Sequence, residues 1–365
     1  MNDIYFYQYK RKQNANVIWI ISTLMLMVVA FSLFASITIY IDPLFHYHEP
    51  LEKYEYPINN ERYQNDGIIR NFKYDSIITG TSMTENFKVS EAAEIFNADF
   101  IKVPFAGAYY KEINDNLRKA YDTGHKIKYV IRCLDYNYLI YDKDTYKEDV
   151  VYPTYLYNNN IFDDVNYVLN KSILFKQTWD VIEYTRAGNK TTSMDDYMNW
   201  NALYPFGAEA VLSQYTLEET SNTLRILTEK ESIMVLENIQ QNVTDLADEH
   251  PETIFYLFFP PYSICYWDTM KNAGLIEWHI NAEKVAIEEI LKHPNIKLYS
   301  FCNYFELICN LDNYINRGHY GEWVNSWILE WMYKDEYLLT SDNYEEYLKT
   351  KREFYNSYDY NSLRE

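Results

Sequence analysis

An uncharged run of 25 residues, from Val17 to Ile41, limits most strongly what this chain can become. A helix needs about 20 mainly apolar residues to cross the hydrocarbon core of a bilayer. Trp19 and Tyr40 lie near the two ends of the run, where amphipathic rings favour the membrane interface. A secretory signal peptide has a shorter apolar region, of about 7–15 residues, followed by a small-x-small cleavage site. We therefore predict an uncleaved transmembrane helix over residues 17–41.

The charges that flank this run predict its orientation. Lys10, Arg11 and Lys12 precede it, opposed only by Asp3. By the positive-inside rule, residues 1–16 are then cytoplasmic and everything that follows the helix is extracytoplasmic. The sequence predicts a single-pass protein of the cell membrane whose main domain lies outside the cell.

Composition excludes one large class of partners and supports a large core. The formal net charge is −20, whereas a nucleic-acid-binding protein needs a basic face for the phosphate backbone. Hydrophobic residues make up 48% of the chain, which excludes wholesale disorder. Glycine is scarce, with 9 residues, so we expect each glycine to serve a backbone conformation.

Short apolar runs alternate with helical patterns and predict the fold class. Residues 42–70 are expected to form a linker, 71–334 the extracytoplasmic domain with an insertion at about 138–230, and 335–365 a polar helical tail. Five runs have the length and composition of buried strands: 74–79, 99–103, 129–134, 253–259 and 296–300. Helical patterns separate them, so we predict an α/β three-layer sandwich with a mainly parallel five-stranded sheet.

Polar residues follow the first and last predicted strands. Ser82 stands in Gly80-Thr81-Ser82, directly after the first strand, and Gly80 permits a tight turn there. Open α/β sheets bind their ligands at the carboxyl ends of the strands. His319 follows the fifth strand and can accept the serine proton at that edge. These positions predict a nucleophilic serine with a histidine base.

The ends of the second and third strands add candidate groups for the substrate. Gly107 follows the second strand and offers a backbone N–H that no side chain shields. Asp135 and Asn137 follow the third strand at the same edge. No metal ion or nucleotide is required by this set of residues.

This order of segments resembles the SGNH (GDSL-like) hydrolase superfamily, over residues 74–333. It is most similar to the membrane-anchored branch in cell-envelope biosynthesis, such as the alginate O-acetylation and D-alanyl-lipoteichoic acid biosynthesis proteins. The resemblance implies Ser82 as nucleophile, Gly107 as an oxyanion donor and His319 as base. It also implies an SGNH or flavodoxin-like sheet.

Two positions depart from the family pattern. Asn316 stands where the Asp-x-x-His motif has its acid, and Asp312 is an alternative partner for the histidine if the loop folds back. Asp135 stands where the family has the asparagine of Gly-x-Asn. An ionised carboxylate there repels an oxyanion, so three alternatives stay open: Asp135 is protonated, Asn137 is the donor, or this corner has another role.

The resemblance implies a serine-dependent acyl transferase or esterase, with acetyl as the expected acyl group and a cell-surface or secreted glycan as substrate. It also implies a multi-pass membrane O-acyltransferase as partner, and no cofactor. The alternative is an inactive SGNH-fold subunit that binds glycan or scaffolds an envelope assembly. Cys302 and Cys309 form either a disulfide or, as we expect, two free thiols.

Overall fold

The computed structural model describes residues 2–147, 152–215 and 223–363, with side chains from Tyr9 onward. It divides the chain into a helical unit, residues 1–57 and 153–191, and a sheet unit, residues 58–152 and 192–365. The helices in chain order are α1 (Asn2–Ile41), α2 (Glu61–Asn71), α3 (Val89–Phe96), α4 (Tyr110–Asp122), α5 (Val165–Val168), α6 (Thr178–Arg186), α7 (Ala208–Ser213), α8 (Glu229–Ile239), α9 (Asp245–Glu249), α10 (Ile264–Asn272), α11 (Ile276–Ile290), α12 (Phe305–Cys309), α13 (Glu322–Tyr333) and α14 (Tyr344–Ser357).

The sheet unit is built on six strands in the order β2-β1-β3-β4-β5-β6. These strands are β1 (Ser76–Gly80), β2 (Phe100–Pro104), β3 (Tyr129–Cys133), β4 (Ile254–Phe259), β5 (Ile296–Ser300) and β6 (Leu338–Leu339). The first five are parallel, as predicted, and nearly all of their residues are buried. Continuous apolar runs form such strands because helices cover both faces of the sheet.

The sixth strand is absent from the sequence prediction. β6 has two residues and pairs antiparallel with β5, so it extends the sheet by one short edge. Two residues are too few to give a periodic pattern, and their pairing partner is about 40 positions away in the sequence.

Two helical layers enclose this sheet. On one face α3 packs against α13. On the other face α2 packs against α4, α8 against α11, and α11 against α14. The helical segment at Gln240–Thr244, which joins α8 to α9, contacts α4 and so connects the two groups of helices. The result is the predicted three-layer α/β sandwich.

The strand order also determines where a site can form. The chain leaves β1 toward β2 on one side, then returns to β3 on the other side and continues outward. The carboxyl ends of β1 and β3 therefore flank the point where the order reverses, which is where open α/β sheets bind ligands.

Several predicted segment boundaries differ from the structure. Residues 61–70 of the expected linker belong to α2, and the expected insertion at 138–230 is divided between the two units. Within it, residues 148–151 and 216–222 lie outside the described residues. The tail forms β6 and α14 and belongs to the sheet unit.

The helical unit consists of α1, α5, α6 and the segments between them. The part of α1 from Tyr9 to Ile41 is long and apolar enough to cross a membrane, by length and composition. α5, the π-helical turn at Ile173–Gln177 and α6 all pack against α1.

Candidate active site

Ser82 is placed by a turn that only glycine can form. Gly80 ends β1 with a φ of +152°, and a Cβ there would lie 2.7 Å from a methyl group of Thr84 and 2.9 Å from Cβ of Cys133. A short 3₁₀ turn, Ser82–Thr84, then begins at the carboxyl edge of the sheet. The scarce glycine at this position therefore has the backbone role that the sequence predicts.

The hydroxyl of Ser82 lies against His319. Its Oγ is 2.9 Å from Nε2 of the histidine, although the two residues are 237 positions apart in the sequence. A two-residue bridge between Tyr314 and Tyr320 closes the loop that carries His319, and the N–H of Ile315 donates to the carbonyl of His319. The predicted nucleophile and base are thus within hydrogen-bond reach.

Asn316 contacts the second ring nitrogen of His319 and so orients the imidazole. Its Oδ1 accepts the backbone N–H of Gly318 at 3.0 Å and that of His319 at 2.9 Å, and it lies 3.1 Å from Nδ1 of His319. Because Oδ1 is only an acceptor, the ring proton must be on Nδ1. Nε2 is then free to accept the proton of Ser82, which is the tautomer that a general base needs.

Burial keeps this histidine neutral. His319 is half-buried at the cleft, and the centroid of the Trp200 ring lies 5.5 Å from that of the imidazole, with the two rings nearly perpendicular. Desolvation lowers the pKa of His319 below its ordinary value, and the charge of Asp135 opposes this in part. A neutral imidazole at neutral pH is competent to accept a proton.

Two backbone N–H groups are available for an oxyanion. Gly107 lines the cleft with a φ of +62°, a left-handed conformation that favours glycine. Within the described residues, the N–H groups of Ser82 and Gly107 donate no hydrogen bond to the protein. They are unpaired donors at the cleft, as an oxyanion hole requires.

Asp135 is held by its neighbours as an acceptor. Its Oδ2 accepts the hydroxyl of Thr81 at 2.9 Å, and its Oδ1 accepts the backbone N–H of Asn137 at 2.9 Å. The side-chain amide of Asn137 donates to the hydroxyl of Tyr262 at 3.2 Å, which leaves its second N–H for another acceptor. Of the three alternatives raised by the sequence, this arrangement favours Asn137 as a donor to substrate.

Asp312 is the predicted site residue that the structure does not bring to His319. It is exposed at a 3₁₀ turn, Leu311–Asn313, and does not line the cleft. Nδ1 of the histidine contacts Asn316 instead. The loop does not fold back because the hydrogen bonds from Gly318 and His319 to Asn316 close it locally.

The remaining predicted residues line one cleft of about 470 Å³ at the carboxyl edge. Sequence reasoning missed several of the residues that also line it: Tyr138, Gln214, Tyr262, Tyr266 and Arg317. Tyr262 follows the end of β4, so the rule that identified Ser82 would have found it also. Gln214 belongs to the expected insertion and has no such signal.

Among the described residues, the cysteines form no disulfide and no cluster of side chains forms a metal site. All four cysteines are free thiols, so Cys302 and Cys309 are not paired. Within the part of the chain that the structure describes, no group of three or more His, Cys, Asp or Glu side chains could hold a metal ion.

Comparison with known proteins finds a distant structural neighbour. The chain matches no protein-family model and no curated protein. Among solved structures it is similar to a protein described as a candidate platelet activating factor from Streptococcus pneumonia. The identity is 10%, the match covers 75% of this chain and 90% of that chain, and the TM-score is 0.38. A likeness this weak carries no argument about activity.

Proposed function

We propose that the protein is a serine-dependent hydrolase or transferase of acyl esters that resembles the SGNH superfamily. The observation that carries the proposal is the directed chain of contacts from Asn316 through His319 to Ser82. It ends beside two unpaired backbone N–H groups, those of Ser82 and Gly107. Ordered nucleophile, base, orienting group and oxyanion donors are the parts that acyl transfer needs.

The proposed reaction has two halves. Oγ of Ser82 attacks the carbonyl carbon of an acyl ester while Nε2 of His319 takes the hydroxyl proton. The carbonyl oxygen becomes an oxyanion that accepts the N–H groups of Ser82 and Gly107. Collapse of this intermediate expels the alcohol, which receives the proton from His319 and leaves Ser82 acylated. Water or a sugar hydroxyl then attacks the acyl-enzyme by the same steps in reverse.

We further propose that the acyl group is acetyl and that the substrate is a cell-surface or secreted glycan. The cleft supports this with the half-buried ring of Tyr138 and with the amides of Asn137 and Gln214, which suit sugar faces and hydroxyl groups. The apolar segment of α1 would hold the domain at the outer face of the membrane. A multi-pass membrane O-acyltransferase as partner and acyl donor rests on the family resemblance alone.

The alternative is an inactive glycan-binding or scaffold subunit of an envelope assembly. The observation that favours it is Asp135, a buried acceptor where the family has an oxyanion donor.

Covalent labelling separates the two functions. The full chain, purified in detergent, is treated with a fluorophosphonate probe and assayed for hydrolysis of an aryl acetate, with Ser82→Ala and the exposed Asp312→Asn as matched variants. We expect labelling and hydrolysis in the wild type and in Asp312→Asn, and neither in Ser82→Ala. A wild-type protein that takes up no probe and hydrolyses no aryl acetate would refute the enzymatic proposal.

A further inference from the structure

The helical unit carries a patch of exposed apolar side chains outside α1. Phe162 is 85% exposed and Phe175 is 62% exposed. The patch, which we term the apolar ridge, consists of Ile161, Phe162, Val165, Leu169, Phe175 and Trp179. Large apolar side chains that are exposed together along one short stretch of chain point to a contact with a partner or a membrane.

One residue of the ridge, Phe175, contacts the apolar part of α1. The ring of Phe175 packs edge-on against that of Phe34, with the centroids 5.9 Å apart. Phe34 is seven residues before the end of α1 at Ile41, which is about 10 Å along the helix axis at 1.5 Å per residue. Phe175 therefore lies beside residues of the segment that is apolar enough to cross a membrane.

Polar contacts hold residues 164–167 to the C-terminal end of α1, which we call its polar end. The buried carboxylate of Asp42, directly after α1, accepts the hydroxyl of Tyr167 and the backbone N–H of Tyr47. Asp164 accepts the hydroxyl of Tyr47 at 3.0 Å. Residues 164–167 are thus fixed at the polar end of α1, while Phe175 reaches its apolar side.

A second polar contact joins the end of α6 to the segment that follows α1. The hydroxyl of Thr185, in the last turn of α6, accepts the backbone N–H of Glu55 at 2.8 Å. Between these two polar attachments, residues 168–184 form a loop of helical segments that packs against α1. Phe175 and Trp179 stand one helical turn apart on the exposed side of this loop.

From this geometry we propose that the apolar ridge inserts into the bilayer leaflet that surrounds the C-terminal end of α1, as a second contact of the chain with the membrane. The proposal rests on α1 being the membrane anchor, and the occupant is lipid because the ridge continues the lipid-facing surface of α1. A depth of about 5–10 Å below the headgroups is typical of interfacial helices. Exposed Lys171 and Lys176 beside the ridge can extend to the headgroups.

Site-directed spin labelling in nanodiscs tests the proposal, with the full chain at one copy per disc of phosphatidylcholine and phosphatidylglycerol. Cys309→Ser is introduced first, since the other three cysteines are buried. Single cysteines then replace Phe162, Phe175 and Lys190. Lys190 belongs to the same unit, and its side chain is 90% exposed, so it reports the aqueous phase.

We expect labels at residues 162 and 175 to collide more often with oxygen, which partitions into lipid, than with a water-soluble nickel complex. The label at residue 190 should show the reverse, and the collision ratio should differ several-fold. A label on Leu33 of α1 gives a depth reference, and the label at residue 175 should lie within about one helical turn, ~5 Å, of it.

Three outcomes would overturn the proposal. Nickel accessibility at residues 162 and 175 equal to that at residue 190 would place the ridge in water. Low accessibility to both reagents would place it against protein. A label at Leu33 that collides with the nickel complex as often as the label at residue 190 would show that α1 itself does not lie in the bilayer. Fluorophosphonate labelling of Ser82 in the same discs is independent of all three.

Discussion

At the scale of single residues, the candidate site depends on an amide where a carboxylate is the usual partner of histidine. Oδ1 of Asn316 accepts two backbone N–H groups and faces Nδ1 of His319, so it selects the same tautomer that a carboxylate would select. It carries no charge, however, and could not stabilise the imidazolium that the proposed reaction forms when Ser82 loses its proton. The charge beside the imidazole can therefore be changed at this position while the acceptor oxygen at Nδ1 is kept.

Asn316→Asp should raise aryl-ester turnover. The carboxylate keeps the same acceptor oxygen and adds a negative charge beside the developing imidazolium. We expect a rise of about 10-fold in kcat, equivalent to about 1.4 kcal/mol. In a serine protease the reverse change, from aspartate to asparagine, costs about 10⁴ in kcat; the gain here should be smaller because this loop is built around an amide. Steady-state kinetics measures the gain.

Asp312→Asn is the matched control, because Asp312 does not contact His319. It should leave turnover unchanged in the wild type and in the Asn316→Asp background. A loss of activity in Asp312→Asn would mean that Asp312, not Asn316, orients the base.

The pH profile of the wild type should reflect the burial of His319. Only the neutral imidazole accepts a proton, so activity is lost as pH falls through the pKa of His319 in the folded protein. Desolvation lowers that pKa. We therefore expect the acid limb of kcat/KM to have its midpoint below about pH 6.5, the ordinary value for histidine. Asn316→Asp should move the midpoint upward, and a wild-type midpoint at or above 6.5 would contradict this account.

At the scale of elements, the N-terminus of α2 holds the loop that carries Gly107. Oε2 of the buried Glu61 accepts the backbone N–H of Ala106 at 2.7 Å, and the guanidinium of Arg62 donates to the carbonyl of Ala106 at 2.9 Å. Asn65 donates to the carbonyl of Pro104. These contacts fix the residues just before Gly107, so in the proposed mechanism Glu61 is a positioning residue for the oxyanion donor.

Glu61→Ala should lower kcat more than it raises KM. Without the acceptor at Ala106, the N–H of Gly107 is less well aimed at an oxyanion, which exists only in the transition state. Removal of one oxyanion donor costs about 10²–10³ in kcat, and misalignment should cost less, about 10-fold. Glu61→Gln retains an acceptor oxygen and should restore most of the turnover. Equal losses in the alanine and glutamine variants would show that the role of Glu61 is not the hydrogen bond to Ala106.

At the scale of the whole sheet unit, the C-terminal helix α14 is part of the core. The ammonium group of Lys351 is fully buried and contacts the carboxylate of Glu283 on α11 and, at 2.9 Å, the hydroxyl of Tyr136. The hydroxyl of Tyr355 donates to the carbonyl of Cys302 just after β5. Tyr136 directly precedes Asn137 in the cleft, so α14 supports one wall of the site from behind.

Lys351→Met should therefore destabilise the protein strongly. Removal of Lys351 leaves the buried carboxylate of Glu283 with no counter-charge, although the hydroxyls of Tyr136 and Tyr347 still donate to it. Loss of one partner of a buried ion pair costs about 3–5 kcal/mol. In a domain of this size, that loss should lower Tm by about 10 °C. Lys349→Met is the matched control, because Lys349 pairs with Glu346 on the exposed surface and should change stability by less than about 0.5 kcal/mol. Thermal unfolding of both variants in the same detergent measures the difference, and similar Tm values would contradict a buried pair.

Local patterns in the sequence were enough to predict the five parallel strands and the pairing of Ser82 with His319. The five parallel strands are mainly apolar runs because both faces of the sheet are covered, and such runs are visible without knowledge of their neighbours. Because the carboxyl ends of parallel strands share an edge, the positions of Ser82, Gly107 and His319 after strands predicted that they lie together, and all three line one cleft.

Long-range polar contacts decided the rest, and they have no local pattern. The choice of Asn316 over Asp312 depends on how one loop closes, and the hydrogen bond from Ala106 to Glu61 joins residues 45 positions apart. Lys351 belongs to a segment as polar as a solvated tail, and only its pairing with Glu283, 68 positions away, makes it core. The sequence by itself determined the apolar run, the parallel strands and the serine–histidine pair, because each depends on apolar periodicity or on strand ends. Only the tertiary structure decided which polar groups support that pair, because a polar side chain is buried only where a distant partner satisfies it.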